Sequence, residues 1–209
     1  MVSKSLLEKL MIGGVAVAFF VFAFSFFVLL PNAGQGGASG AVASPGVSAA
    51  PASTQDNSFL PKGVPRVYGV ELGVSYDGVS ASDPKAADAI IRKLGALDNS
   101  IVLDSGQMER YKKVASQISC EYCCDVDAII FADGSAACGC AHSFAMRGLA
   151  KYIIKNHPAD FSDDEILEEL SKWKVLFFPS QSSAKAARLE AKGIEGTYIN
   201  VASNKYRGE

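Results

Sequence analysis

Cys120-Glu121-Tyr122-Cys123-Cys124, an interval of thirteen residues, and then Cys138-Gly139-Cys140-Ala141-His142 hold all five cysteines of a 209-residue chain. A C-x2-C pair lets two thiolates reach one ion, because the turn between them is tight and its amides can hydrogen-bond the sulfurs. The interval contains the apolar run Ala128-Ile129-Ile130-Phe131-Ala132 followed by Asp133-Gly134. Such a run before Asp-Gly signals a tight hairpin, since both turn positions tolerate positive φ. The return strand would carry Cys138, Cys140 and His142 back towards Cys120 and Cys123, so that six soft or borderline donors meet. Cys138 and Cys140 also open a predicted helix, where the positive end of the dipole favours thiolate over thiol.

This pattern points to a metal held by Cys120, Cys123, Cys138 and Cys140, with His142 as replacement or outer partner and Cys124 as the spare. Zinc is the first expectation, because three or four thiolates, or three thiolates and a histidine, make its tetrahedral site. Copper(I) is second, since soft thiolates select it and five sulfurs exceed what one zinc ion needs. An iron–sulfur cluster is third, as four thiolates are at hand. A lone cysteine is commonly a core residue, but five within 21 positions are not explained that way. Disulfides such as 120/138 and 123/140 are the rival reading, and they leave one cysteine over. His142 reads equally as a ligand or as a residue capping a helix start, and His157, before Pro158, reads as a helix C-terminal cap.

Helices flank the cysteines. Ser105 to Ile118 puts Met108, Tyr111, Ala115 and Ile118 on one face, and Ala141 to Asn156 has apolar positions at helical spacing with Arg147, Lys151 and Lys155 opposite. Asp83-Pro84 starts a helix that Gly95 ends, and Ser162-Asp163-Asp164-Glu165 is a capping box opening one through Lys172. Val175 to Phe178 is a short apolar run stopped by Pro179, and Ser183 to Lys192 is a last amphipathic helix before a polar tail. Arg66 to Val74 alternates loosely and contains β-formers, which predicts a strand.

The amino-terminal part differs in composition. Leu10 to Leu30 lacks charge and is rich in phenylalanine, about the ~20 residues that cross a bilayer. It predicts a membrane anchor, with a cleaved signal peptide as the competing reading. Lys4 and Lys9 precede the run and the next basic residue is Lys62, so the amino end is expected in the cytoplasm and the remainder outside. Pro31 to Ser58 is mostly Ala, Gly, Ser and Pro, a composition that cannot offset its ordering entropy and predicts a flexible linker.

The expected fold is therefore α+β and mainly helical. It comprises an anchor over residues 1–30, a linker over 31–64, and one small soluble domain over 65–209 in which a cysteine-bearing hairpin lies between helices. Interleaved charge, 20 basic against 22 acidic residues, gives no stripe that would track a phosphate backbone, so nucleic acid is excluded as a partner. No phosphate-binding glycine loop or zincin helix is present, and nothing nominates a catalytic residue. The residues Ile118-Ser119-Cys120-Glu121-Tyr122-Cys123-Cys124 after an amphipathic helix, Cys138-Gly139-Cys140 opening another, and the trailing Asp163-Asp164-Glu165-Ile166 resemble the PCYCGC-motif family of exported, membrane-anchored bacterial proteins. That resemblance covers about residues 105–172. It implies metal binding and no activity. The expectation is a membrane-anchored extracytoplasmic metal-binding protein, with thiol–disulfide exchange or a disulfide-stapled surface protein as alternatives.

Overall fold

The computed structural model describes residues 59–209. Seven helices order this part: α1 Gly69–Leu72, α2 Pro84–Ser100, α3 Ser105–Ala115, α4 Ala141–Asn156, α5 Asp163–Phe177, α6 Pro179–Ala191 and α7 Tyr198–Ala202. Single turns of 3-10 helix lie at Tyr76–Gly78 and Asn204–Tyr206. The run from Leu10 to Leu30 lies outside the described residues, and among those described no helix is long and apolar enough to cross a membrane.

The expected α+β class is corrected to a helical one. Among the described residues, pairing between extended segments is confined to isolated bridges, such as Ile118 with Ser203, Cys120 with Val126 and Ile130 with Ala136. The predicted strand from Arg66 to Val74 is instead a turn leading into α1, closed by Gly73 in the left-handed region at φ 57°. β-formers hold a strand only where a neighbouring segment offers a ladder. Here the Gly69 amide bonds back to the Pro65 carbonyl at 3.0 Å, and the glycine lies so close to Val64 and Pro65 that a Cβ would fall 2.6 Å from Val64. The Asp133-Gly134 turn does form. Gly134 takes φ 89°, its amide reaches the Phe131 carbonyl at 2.9 Å, and Phe131 N–H donates to the Ser135 carbonyl at 2.8 Å. The arms stay paired only as far as Ala137, whose N–H donates to the Ile129 carbonyl at 3.2 Å, while the Ile129 amide turns inward to the Ile118 carbonyl and its side chain is fully buried.

Caps mark the helix starts. Asp83 accepts from Ala86 N–H with Pro84 in the first turn, and Asp104 with Gln107 and Ser162 with Glu165 make reciprocal capping boxes. α2 does not stop at Gly95. That glycine continues the helix and lets α4 approach, so that a Cβ there would meet Phe144 at 3.3 Å. α5 runs past Lys172 and absorbs Val175 to Phe177, and α6 begins at Pro179.

α4 is the central rod, touched by α2, α3 and α5. Its expected polar side is corrected accordingly: Arg147 is 1% exposed, donates to Asp98 Oδ2 on α2 at 2.8 Å, and spans to the Cys138 carbonyl at 2.8 Å. Lys151 reaches the other Asp98 oxygen at 2.7 Å. The core around α4 and α5 includes Leu94, Tyr111, Ile118, Leu149, Ile153, Leu170 and Trp173, all inaccessible to solvent. Trp173 Nε1–H donates to the Tyr68 hydroxyl at 2.7 Å, and that hydroxyl donates to Glu169 at 2.6 Å, which ties the α1 region to α5.

Candidate metal centre

The cysteines sit where three supports converge. Ile118, beyond the end of α3, is locked by the Ile129 amide at 3.0 Å, and Ser119 N–H donates to the Ala202 carbonyl of α7 at 3.3 Å. From this anchor Cys120 to Cys124 makes one tight turn, closed by Cys124 N–H on the Cys120 carbonyl at 3.2 Å and by Cys120 N–H on the Val126 carbonyl at 3.1 Å. Asp125 leaves the turn with φ 52°, a left-handed conformation that an aspartate tolerates better than most side chains. The Asp-Gly turn then returns the chain to Cys138 and to Cys140, the N-cap of α4, whose sulfur accepts Ser143 N–H at 3.3 Å.

Among the described residues, the sulfurs of Cys120, Cys123, Cys124 and Cys140 all lie within 4.8 Å of one another. Cys120 lies 3.7 Å from Cys140, and Cys123 lies 3.9 Å from Cys124. Four sulfurs about 2.3 Å from a tetrahedral ion stand roughly 3.8 Å apart, which the Cys120–Cys140 and Cys123–Cys124 separations match, while the group as a whole reaches 4.8 Å and would have to contract onto an ion. Cys138, expected among the ligands, lies 3.5 Å from Cys120 and is joined to Cys124 as a disulfide, with Cα atoms 6.4 Å apart. Cys124, expected as the spare, thus belongs to the four-sulfur group and to the disulfide. The bridged pair is neither 120/138 nor 123/140, and Cys120, Cys123 and Cys140 are free thiols.

The charges within the group are unequal. Hydrogen bonding from Cys120 and, less strongly, from His142 and Ser143 brings Cys140 down to about 3, against the opposing effect of burial. Of Cys120 and Cys140, it is Cys140 whose environment favours the thiolate. Cys120 moves in the opposite direction, held up by its hydrogen bond to Cys140 and by burial. The Ser143 hydroxyl lies 3.3 Å from both sulfurs. His142 stands outside the four-sulfur group, its ring packed on Phe177 at 5.1 Å and Phe178 at 4.8 Å. His157 caps the C-terminus of α4 and bridges Glu71 and Asp160 at 2.9 and 3.1 Å.

Sequence reasoning missed the polar residues under the turn. Glu121 accepts from Lys174 of α5 at 3.2 Å and from Lys185 of α6 at 2.9 Å, and Lys174 also donates to Ser119 Oγ at 2.7 Å. Burial raises the Glu121 carboxyl, but Lys185 and Lys174 outweigh it and hold it below the usual range. Burial pushes Lys174 down to about 8. The position of Glu121 inside C-x2-C was a visible signal. Nothing in the sequence marked the two lysines.

No family model matches the chain, and neither a curated protein nor a solved structure matches it.

Proposed function

We propose that the protein binds a single zinc ion through Cys120, Cys123, Cys124 and Cys140, and that it acts as a metal-binding protein rather than an enzyme. The observation that carries this reading is the mutual approach of those four sulfurs to within 4.8 Å. Amide and hydroxyl donors at Ser143 and the downward shift of the Cys140 thiol add to it, since metal ligands must be deprotonated and are tuned by the hydrogen bonds they accept. A sulfur in a disulfide is not a thiolate ligand, so the four-thiolate site belongs to the reduced protein. Copper(I) is the second choice and an iron–sulfur cluster the third. Full-length protein purified under reducing, chelator-free conditions should carry one zinc per chain by elemental analysis. No stoichiometric metal in such protein overturns the proposal.

The Cys124–Cys138 disulfide supports a second reading, thiol–disulfide exchange, because the exposed Cys123 thiol lies 3.9 Å from Cys124. In that reading a substrate dithiol is oxidised to a disulfide, and the Cys124–Cys138 bond takes up its two electrons and two protons. Exchange would trap a mixed disulfide at exposed Cys124, observable by mass spectrometry when oxidised protein meets a small dithiol. Under the zinc reading the reduced, metal-loaded protein should resist alkylation at all four ligand cysteines. Rapid single-site alkylation at Cys123 with zinc retained would favour exchange.

A further inference from the structure

Two lysines and one glutamate lie buried against the cysteine turn. The Lys174 and Lys185 side chains are 1% and 0% exposed and that of Glu121 is 8% exposed. Both Glu121 oxygens accept from Lys185, at 2.9 and 3.2 Å, and Gly208 N–H adds a contact at 3.2 Å. Lys174 donates to Glu121, to Ser119 Oγ, and to the Ala202 carbonyl at 2.8 Å. One carboxylate against two ammonium groups leaves one buried positive charge over. Glu209, which also acts on Lys185, sits at the solvent margin paired with Lys192 and is screened. An uncompensated buried charge is costly, so the fold has a reason to place an anion beside it. Ser119 and Glu121 flank Cys120, and the Cys120 sulfur acts electrostatically on Lys174. A single thiolate in the turn would only offset the cation, whereas a divalent ion ligated by four thiolates is formally doubly negative, one unit more for the lysines to hold.

We infer that Lys174 and Lys185 are the counter-charge of an anionic metal–thiolate centre at Cys120, Cys123, Cys124 and Cys140. This rests on the zinc reading above and adds to it which residues set the affinity from outside the ligand shell. The two lysines are positioning residues for charge, and they favour ligand states that carry net negative charge.

The test is a charge series on the reduced full-length chain: wild type, Lys185→Met, Glu121→Gln and the double variant. Zinc affinity is read by competition with a chromophoric chelator, and cobalt(II) absorption checks that the sulfur ligands are unchanged. Methionine fills the lysine volume without charge. At an effective dielectric of ~20 and a separation of ~10 Å, one charge is worth about tenfold in affinity. Lys185→Met should bind zinc about tenfold more weakly, and Glu121→Gln about tenfold more tightly. The double variant, with the wild-type charge restored, should return close to wild type. If Glu121→Gln does not fold, recovery of affinity from Lys185→Met to the double variant carries the same information. Affinity that falls in all variants would make the lysines a mechanical brace and overturn the inference, as would a flat series, and in both cases the zinc reading stands. A wild-type protein that takes no zinc overturns both.

Discussion

Cys140→Ser should lower zinc affinity by more than the roughly hundredfold that loss of an outer-sphere partner costs. Serine is a good N-cap, so it can replace the Cys140 sulfur as the acceptor for Ser143 N–H and keep the start of α4 intact. What it cannot supply is a sulfur 3.7 Å from Cys120 in a setting that favours the thiolate. The loss is then assignable to ligation and not to unfolding of α4. A structural zinc contributes about 10–16 kcal/mol in small domains, and a ligand bound to the native state raises its Tm. Addition of a chelator should accordingly lower the Tm of reduced wild type and leave that of Cys140→Ser unchanged. Cys124→Ala should behave as Cys140→Ser does, whereas Cys138→Ala, which removes the disulfide partner but none of the four grouped sulfurs, should keep its zinc. Zinc loss from Cys138→Ala with full loading of Cys124→Ala would reverse the ligand assignment.

The largest effect on stability is expected at Gly148. A Cβ there would lie 2.1 Å from the Leu94 carbonyl oxygen and 2.9 Å from the Asp98 amide nitrogen, both backbone atoms of α2. No side-chain rotation relieves such a contact, so α2 and α4 must separate along their shared face. Alanine gains about 1 kcal/mol in helix propensity over glycine, but overpacking costs about 3 kcal/mol or more when backbone must move. Gly148→Ala should therefore lower the Tm by about 5–10 °C in thermal unfolding of the metal-free protein. Gly139, between two cysteines, has nothing within 4 Å of its ideal Cβ, and Gly139→Ala should leave the Tm within about 2 °C of wild type. Equal Tm values for the two variants would mean that the α2–α4 contact is looser than described.

Much of this was open to reading from local signals. The capping box at Ser162, Pro84 in a first turn, and the Asp133-Gly134 turn act over three or four residues and depend on little else. The full span of α4 followed from its periodicity and from the His157-Pro158 pair that ends it. The convergence of two cysteine segments could be read as well, because the Asp-Gly turn sets the chain's return. The region from Arg66 to Val74 could not: β-branched residues describe a surface that suits a sheet, and whether a partner segment exists is a property of the whole fold. Gly95 and Gly148 carried no sign of their roles, since close approach is defined by the other helix.

The sequence by itself determined where α2, α3, α4 and α5 start, which segments carry sulfur, and that those segments return to one place, all through interactions between residues near in the chain. Tertiary structure decided which sulfurs share one point and which pair is bridged, because a tetrahedral group needs positions within a few ångströms and a one-residue shift changes the partner. It also decided the fate of the charged residues. Arg147, Lys174 and Lys185 look like solvated helix faces in sequence, yet α2, α7 and the turn at Glu121 close over them and supply the carboxylates and carbonyls that let them be buried.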